Sequence, residues 1–306
     1  MMTTCRSGAT LVDRRAPGRR GNARMDMDQI PPPKLPGLEI LAQIGRGGGS
    51  IIYEARDLKT GTLYALKYVS RLMEKGPRFF EQVEAEHRLG QKVNHPNLRK
   101  THLLRKRGLL SVQEMYLWMD LVHGRPLTRK SDDFSRPVLA LLKAGDGLRA
   151  IHRMRFIHAD FNPKNVLVSE DGSVKLIDYG QSCTVGTIKK RVQGTLEFMA
   201  PEQTTKGMLD HRTDIFNFGA TLYWALTGQT IGLPVMETKG GRRAGSRKIV
   251  PPRAINPRVS EGMSNIVMHC LAESPSDRPS SMDEILGDLH VELRESLLAG
   301  GSSGGR

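Results

Sequence analysis

The chain has 306 residues, 38 % of them apolar and 25 % charged, with a net charge of +14, the balance of a soluble globular protein of one or two domains. Cys5, Cys183 and Cys270 are too few and too far apart for a disulfide scaffold or a thiolate metal site, and they fit a reducing, cytoplasmic setting. No apolar run reaches the roughly 20 residues of a membrane span; His152, Arg153, His158 and Asp160 interrupt the stretch 151–167, and no apolar core follows the N-terminal arginines to make a signal peptide.

Residues 1–37 are rich in Arg, Gly and Pro, contain Pro31-Pro32-Pro33 and lack periodicity, so a disordered basic tail is expected. Translation could equally start at Met25 or Met27. From Leu38 the pattern turns β. One strand is expected over 38–45, a tight glycine turn to Ser50, a second strand over 51–57 and a turn at Lys59-Thr60-Gly61. A third strand carries Leu63, Ala65 and Lys67. A helix is predicted over 78–93, ended by His95-Pro96-Asn97, and two further strands lie near 101–106 and 112–121.

After Val122 helices dominate. The spacing predicts an amphipathic helix over 137–154 with Val138, Leu141, Leu142, Leu148 and Ile151 as its stripe. Short strands follow near 156–158, 166–168 and 174–176, with a turn at Glu170-Asp171-Gly172. A buried helix over 213–226 stops at Gly228. Residues 232–258 read as an extended loop, then helices over 260–272 and 282–298, the second with a Ser281/Glu284 capping box. A flexible end is expected over 299–306. The positive surplus sits in 1–34, 99–107 and 239–258. Nucleic acid could take such patches, but no aromatics are interleaved, so solvated loops are the preferred reading.

Three constellations carry chemistry. In Ile44-Gly45-Arg46-Gly47-Gly48-Gly49-Ser50, glycine lets backbone N–H groups approach a polyphosphate. A strand follows where a dinucleotide fingerprint would need a helix, and the Lys of a P-loop is missing; a bare hairpin turn is the remaining alternative. Lys67 lies in an apolar strand, where an ammonium needs a partner unless it snorkels to the surface. Glu86 on the next helix is the natural counter-charge. The third constellation runs His158-Ala159-Asp160-Phe161-Asn162-Pro163-Lys164-Asn165, and Asp178-Tyr179-Gly180 follows thirteen residues after Asn165.

These motifs, in this order, resemble the eukaryotic-type (Hanks-type) serine/threonine protein kinases, especially bacterial members, over about 38–297. The resemblance implies an α+β, bilobal fold: a small β-rich N-lobe with one helix over 38–122 and a larger, mainly helical C-lobe over 123–298. It implies transfer of the γ-phosphate of ATP to a protein Ser or Thr hydroxyl. Asp160 resembles the base, Lys67 the phosphate-holding lysine, and Asn165 and Asp178 the Mg2+ ligands. Ile52 and Ala65 would roof the adenine, Leu167 would floor it, Met119 would be the gatekeeper, and Asp120-Leu121-Val122 the hinge. Ala200-Pro201-Glu202 resembles the end of the activation segment, with Arg278 as the partner of Glu202. Asp214 would tether the catalytic loop, and Gly194-Thr195 resembles the mark of Ser/Thr specificity.

Four positions depart from the family pattern. Ser50 replaces the third loop glycine. Ala159 replaces the Arg that normally faces an activation-segment phosphate, which implies activity without that phosphate. Asn162 replaces the Lys that normally touches the γ-phosphate. Gly90 replaces a bulky residue four after Glu86, so a loosely held helix is expected. The alternatives are a pseudokinase that binds nucleotide as a scaffold and, less well supported by Ala200-Pro201-Glu202, a small-molecule phosphotransferase. Cys183, beside the metal loop, is either an inert thiol or a redox switch.

Overall fold

The computed structural model describes residues 30–73, 77–129, 133–233 and 248–301. Five strands form an antiparallel sheet: β1 (Leu38–Arg46), β2 (Ile51–Asp57), β3 (Leu63–Ser70), β4 (Thr101–Arg107) and β5 (Glu114–Asp120). Their order is β1-β2-β3-β5-β4, and α1 (Arg78–Gly90) connects β3 to β4. Alternation along β3 decides what covers each face. Ala65 and Val69 pack with Phe80 and Val83 of α1 and with Met115, Leu117 and Met119 of β5. Leu66 and Tyr68 face the other way, with Ile51, Tyr53, Tyr116 and Trp118.

That second face is covered by residues the sequence assigned to a disordered tail. Ile30 and Leu35 are both buried in the same cluster, so at least 30–37 is ordered against the sheet. The proline run between them fixes φ and lowers the entropy lost on docking, and each buried aliphatic side chain returns roughly 1.5–3 kcal/mol. Residues 1–29 of the expected tail lie outside the described residues.

The C-lobe is built on α2 (Ser135–Arg153) and α4 (His211–Thr227), with the single-turn α3 (Pro201–Thr204) and α5 (Pro252–Ile255), then α6 (Glu261–Cys270) and α7 (Met282–Gly301). Helix α4 is buried on nearly every side from Thr213 to Leu226 and is the pillar the other elements pack around. Short strands frame the cleft: β6 (Arg125–Pro126), β8 (Val166–Val168) and β9 (Val174–Leu176) in one sheet, β7 (Phe156–Ile157) with β10 (Cys183–Thr184), and β11 (Thr187–Ile188) with β12 (Met208–Leu209).

Local departures have local causes. Helix α1 stops at Gly90, three residues before the predicted Val93. Helix α2 begins two residues before Pro137, where the Asp133 carboxylate accepts the Ser135 N–H at 2.9 Å. Inside the expected loop 232–258, Pro252 starts α5 at a position where a missing N–H costs nothing; residues 234–247 lie outside the described residues. The capping box is split: the Glu284 N–H reaches Ser281 Oγ at 3.4 Å, but the Glu284 carboxylate accepts from Ser280 instead. Helix α7 continues through Ala299–Gly301, which the sequence placed in a flexible end.

Candidate active site

The N-lobe side of the cleft is organised by a buried carboxylate. Glu86 on α1 is fully buried and accepts from two cations: Lys67 Nζ at 2.6 Å and Arg99 Nη2 at 2.8 Å. Lys67 Nζ also lies 3.4 Å from Asp178 Oδ1, on the C-lobe side. Burial alone would drive the proton off Lys67, but Asp178 and Glu86 outweigh it and hold the ammonium above its ordinary value. Lys67 in turn holds the Asp178 carboxyl below the usual range.

Sequence reasoning misses Arg99, which it reads as one of the solvated basic residues of 99–107. Arg99 is buried, with Nε unpartnered among the described residues. The available signal was its register two residues before Thr101, at the entry to a predicted strand, where a buried cation demands a counter-charge. The same region removes the looseness expected from Gly90. The buried Thr101 side chain fills the space there: a Cβ on Gly90 would collide with Thr101 Cγ2. Thr101 Oγ1 also lies 3.0 Å from His87 Nδ1 of α1. Helix α1 is therefore pinned to β4 by Thr101 and to Lys67 and Arg99 by Glu86.

The glycine turn is closed by the Gly47 N–H donating to Ser50 O at 2.8 Å. Ser50 is buried. The Phe79 ring occupies the space a side chain on Gly49 would need, since a Cβ there would lie 2.6 Å from Phe79 Cδ1. Gly45 and Arg46 end β1, Ile44 is half exposed, and Gly48 has open space beside it. In the ladder Ile52 faces Lys67 and Ala65 faces Met119. Asp120 ends β5, where its carboxylate accepts from Lys100 N–H at 3.1 Å and sits 2.7 Å from His102 Nε2. Val122 O accepts the Gly124 N–H at 3.0 Å, and Leu167 lies half-buried on β8.

The catalytic-loop side is held mainly by neutral donors. Asp214, wholly buried on α4, accepts the His158 N–H at 2.8 Å, the Ala159 N–H at 2.7 Å and His152 Nε2 at 2.8 Å. Burial would raise its pKa, but these donors together bring it below the ordinary value. Ala159 has φ +60°, a conformation costing a non-glycine residue on the order of 1–3 kcal/mol; the Asp214 carboxylate and Gln203 Nε2, which donates to Ala159 O at 2.8 Å, hold it there. His158 Nε2 lies 3.1 Å from Ile177 O, and its Nδ1 lies 3.3 Å from the Asp160 N–H, so the ring bridges the two loops.

Asp160 Oδ1 accepts from Thr195 N–H and Thr195 Oγ1, both at 2.9 Å, and from Asn162 Nδ2 at 3.2 Å. Asn165 Nδ2 donates to Asp160 O at 2.8 Å. Burial, reinforced by the negative Asp178, raises the Asp160 pKa. Asn162 is buried: it donates to Asp160 and Thr195 and accepts the Lys164 N–H at 3.0 Å as the cap of a short turn. Lys164 itself points outward, exposed. Asp178 also has a left-handed φ of +60°, and its side chain is 45 % exposed to the cleft.

Asp178 and Asn165 supply oxygen donors on adjacent loops, the chemistry a hard divalent cation prefers. Two protein ligands leave the remaining positions to phosphate and water, as magnesium requires. The residues present therefore fit such an ion.

The segment between Gly180 and Glu202 is anchored at its C-terminal end. Glu202 and Arg278 form a bidentate pair at 2.8 and 2.9 Å, and the other Arg278 donors reach Ala272 O, Arg212 O and Glu273 O. Within the segment, Arg191 pairs with Glu81 of α1 at 3.2 Å and Lys189 donates to Gln181 O. Burial raises the Cys183 thiol pKa, which suppresses the reactive thiolate.

The protein kinase domain family matches residues 38–290. A probable serine/threonine-protein kinase of Clostridium perfringens is 25 % identical over 260 residues, 82 % of this chain and 37 % of its own. One of Corynebacterium efficiens is 26 % identical over 278 residues, 85 % of this chain and 42 % of its own. The serine/threonine-protein kinase PknH of Mycobacterium bovis is 28 % identical over 267 residues, 83 % of this chain and 43 % of its own. This chain thus spans about two-fifths of the length of these curated relatives. Among the described residues no helix is long and apolar enough to cross a membrane. With a bilobal architecture, a cleft that joins Lys67, Glu86 and Asp178, and a family match over most of its length, the chain belongs to the protein kinase family.

Proposed function

We propose that this chain transfers the γ-phosphoryl group of ATP to a Ser or Thr hydroxyl of a protein substrate, with Asp160 as the base. The observation that carries this reading is the pairing across the cleft: Lys67 engages Glu86 at 2.6 Å while lying 3.4 Å from Asp178. Lys67 is thereby oriented for the α- and β-phosphates, and the glycine turn 45–50 offers backbone N–H groups above them. The adenine would lie between Ile52 and Ala65 above and Leu167 below, beside Met119 and the 120–122 hinge.

Asp160 has one carboxylate oxygen committed to Thr195 and Asn162, which orients the other for a substrate hydroxyl. As the hydroxyl oxygen bonds to the γ-phosphorus, the bond from that phosphorus to the bridging oxygen breaks, ADP leaves, and the hydroxyl proton passes to Asp160. A magnesium ion held by Asp178 and Asn165 would supply charge neutralisation at the phosphates. Thr195 on Asp160 supports Ser/Thr acceptors, as do the names of the relatives. The test is labelling with Mg-ATP, by autophosphorylation and on a generic protein substrate. Asp160-dependent labelling supports the proposal, and nucleotide binding without it would establish the alternative reading. That alternative, a nucleotide-binding scaffold, is favoured by one observation: buried Asn162 stands where a cation would face the γ-phosphate.

A further inference from the structure

The turn between β4 and β5 presents an apolar tip on a basic stem. Residues 105–111 are exposed without interruption, and Leu109 and Leu110 are each 99 % exposed. The turn is well formed, since the Gln113 N–H donates to Arg107 O at 2.8 Å. Beside it runs the chain leaving β3. Arg71 N–H donates to Gln113 O at 2.9 Å, Arg71 Nε donates to Val112 O at 2.7 Å, and Leu72 is 47 % exposed.

The charges around the tip are mostly positive. Arg71, Arg105, Lys106 and Arg107 face two acids, Glu84 and Glu114. Glu84 pairs with Lys106 through half-exposed side chains, an interaction that competes weakly with other anions. Glu114 lies 3.7 Å from Arg107, but it is turned inward, accepting from Tyr68 Oη at 2.7 Å and Tyr116 Oη at 2.8 Å. Arg105 lies over the Trp118 ring at 5.6 Å.

We propose that this hairpin tip docks the kinase on an anionic lipid bilayer, with Leu109 and Leu110 entering the interface and Arg71, Arg105, Lys106 and Arg107 at the headgroups. Spacing and charge both favour that occupant. Two residues reach at most about 7 Å, so Arg107 trails Leu109 by no more than that. The headgroup layer on each side is roughly 5–8 Å thick, so leucines at the acyl boundary bring Arg107 level with the phosphates. Arg105 lies farther back, with its guanidinium over Trp118, and adds longer-range attraction to an anionic surface. A convex tip of two leucines falls well short of the ~800 Å² per partner that a stable protein interface buries. A bilayer closes around a wedge without a matching groove, and its anionic headgroups complement the basic stem.

The experiment floats the 306-residue chain with vesicles of phosphatidylglycerol in phosphatidylcholine, and with phosphatidylcholine alone. The expected result is binding to the anionic vesicles only, weakened by salt. The double variant Leu109→Ser/Leu110→Ser should lower that partition about tenfold or more, because exposed apolar area drives it. Arg105→Gln/Lys106→Gln/Arg107→Gln should lower it and flatten its salt dependence. The leucine variant should melt at the parent temperature and label a soluble substrate at the parent rate without vesicles, which separates this surface from the active site. Failure to bind anionic vesicles overturns the proposal, as does binding unchanged in the leucine variant. Self-association that the leucine variant abolishes overturns it too, in favour of contact between copies.

Discussion

Lys67 and Asp160 face the same cleft, but different forces fix them. Around Lys67 the order comes from full charges: buried Glu86 binds both Lys67 and Arg99, and Asp178 completes the set from the other lobe. Around Asp160 it comes from neutral donors and backbone amides. Thr195, Asn162 and Asn165 hold Asp160 and its peptide, and Asp214 takes two main-chain N–H groups. In a low-dielectric pocket, losing one member of a charge set leaves its partner uncompensated. Losing one neutral donor relaxes the geometry but strands no charge. The two halves of the site should therefore fail differently.

The largest effect belongs to the residue both halves serve. Asp160→Asn should cut phosphoryl transfer by on the order of 10²–10⁴, with nucleotide affinity retained; transfer at the parent rate would remove Asp160 from the chemistry. Glu86→Ala tests the charge set most directly. It leaves Arg99 buried without its carboxylate and Lys67 with Asp178 alone, and should cost about 3–5 kcal/mol in denaturant unfolding. Arg99→Met, which leaves the Lys67 pair intact, should cost less, about 1–3 kcal/mol. Equal losses would mean that Arg99, not Lys67, is the main partner of Glu86.

Acid should reach the two halves at different pH, because their carboxyl pKa values shift in opposite directions. Lys67 lowers the Asp178 pKa below its ordinary 3.8. The stability from that shift is therefore present above 3.8 and lost as pH falls through the folded value, so Asp178→Asn should flatten the acid limb of a melting-temperature profile. Burial and Asp178 raise the Asp160 pKa above 3.8. The transfer rate should then fall on acidification with a midpoint above 3.8, and a midpoint below it would contradict an Asp160 base.

Asn162→Ala should be milder. It removes a turn cap and one donor to Asp160, costing about 1 kcal/mol of stability and roughly tenfold in rate. Stability unchanged by this variant would refute the neutral-donor account of the loop. Smallest of all, Thr184→Ala/Thr187→Ala should leave labelling within about twofold and stability within ~0.5 kcal/mol. Arg191–Glu81 and Lys189–Gln181 already order this segment, and no Arg precedes Asp160 to await a phosphate. A large loss would show that those hydroxyls matter.

The amino-acid sequence determined the features that lie within one element or at a fixed spacing. Alternation of Leu63, Ala65 and Lys67 marked the third strand, and the family resemblance carried by Asp160, Asn165 and Asp178 implied oxygen donors on neighbouring loops. The burial of Lys67 required a carboxylate, and Glu86 was legible as that partner. Tertiary structure alone decided the features that depend on a distant surface. Arg99 reads as one cation in a basic run until β4 brings it to Glu86. Gly90 reads as a gap until Thr101 fills it. Ile30 and Leu35 read as tail until the open face of the sheet gives them somewhere to bury. Periodicity reports which side of an element is apolar or charged. Whether that side meets a partner, and which one, depends on chain segments far away in sequence, and there the balance between burial and desolvation is struck.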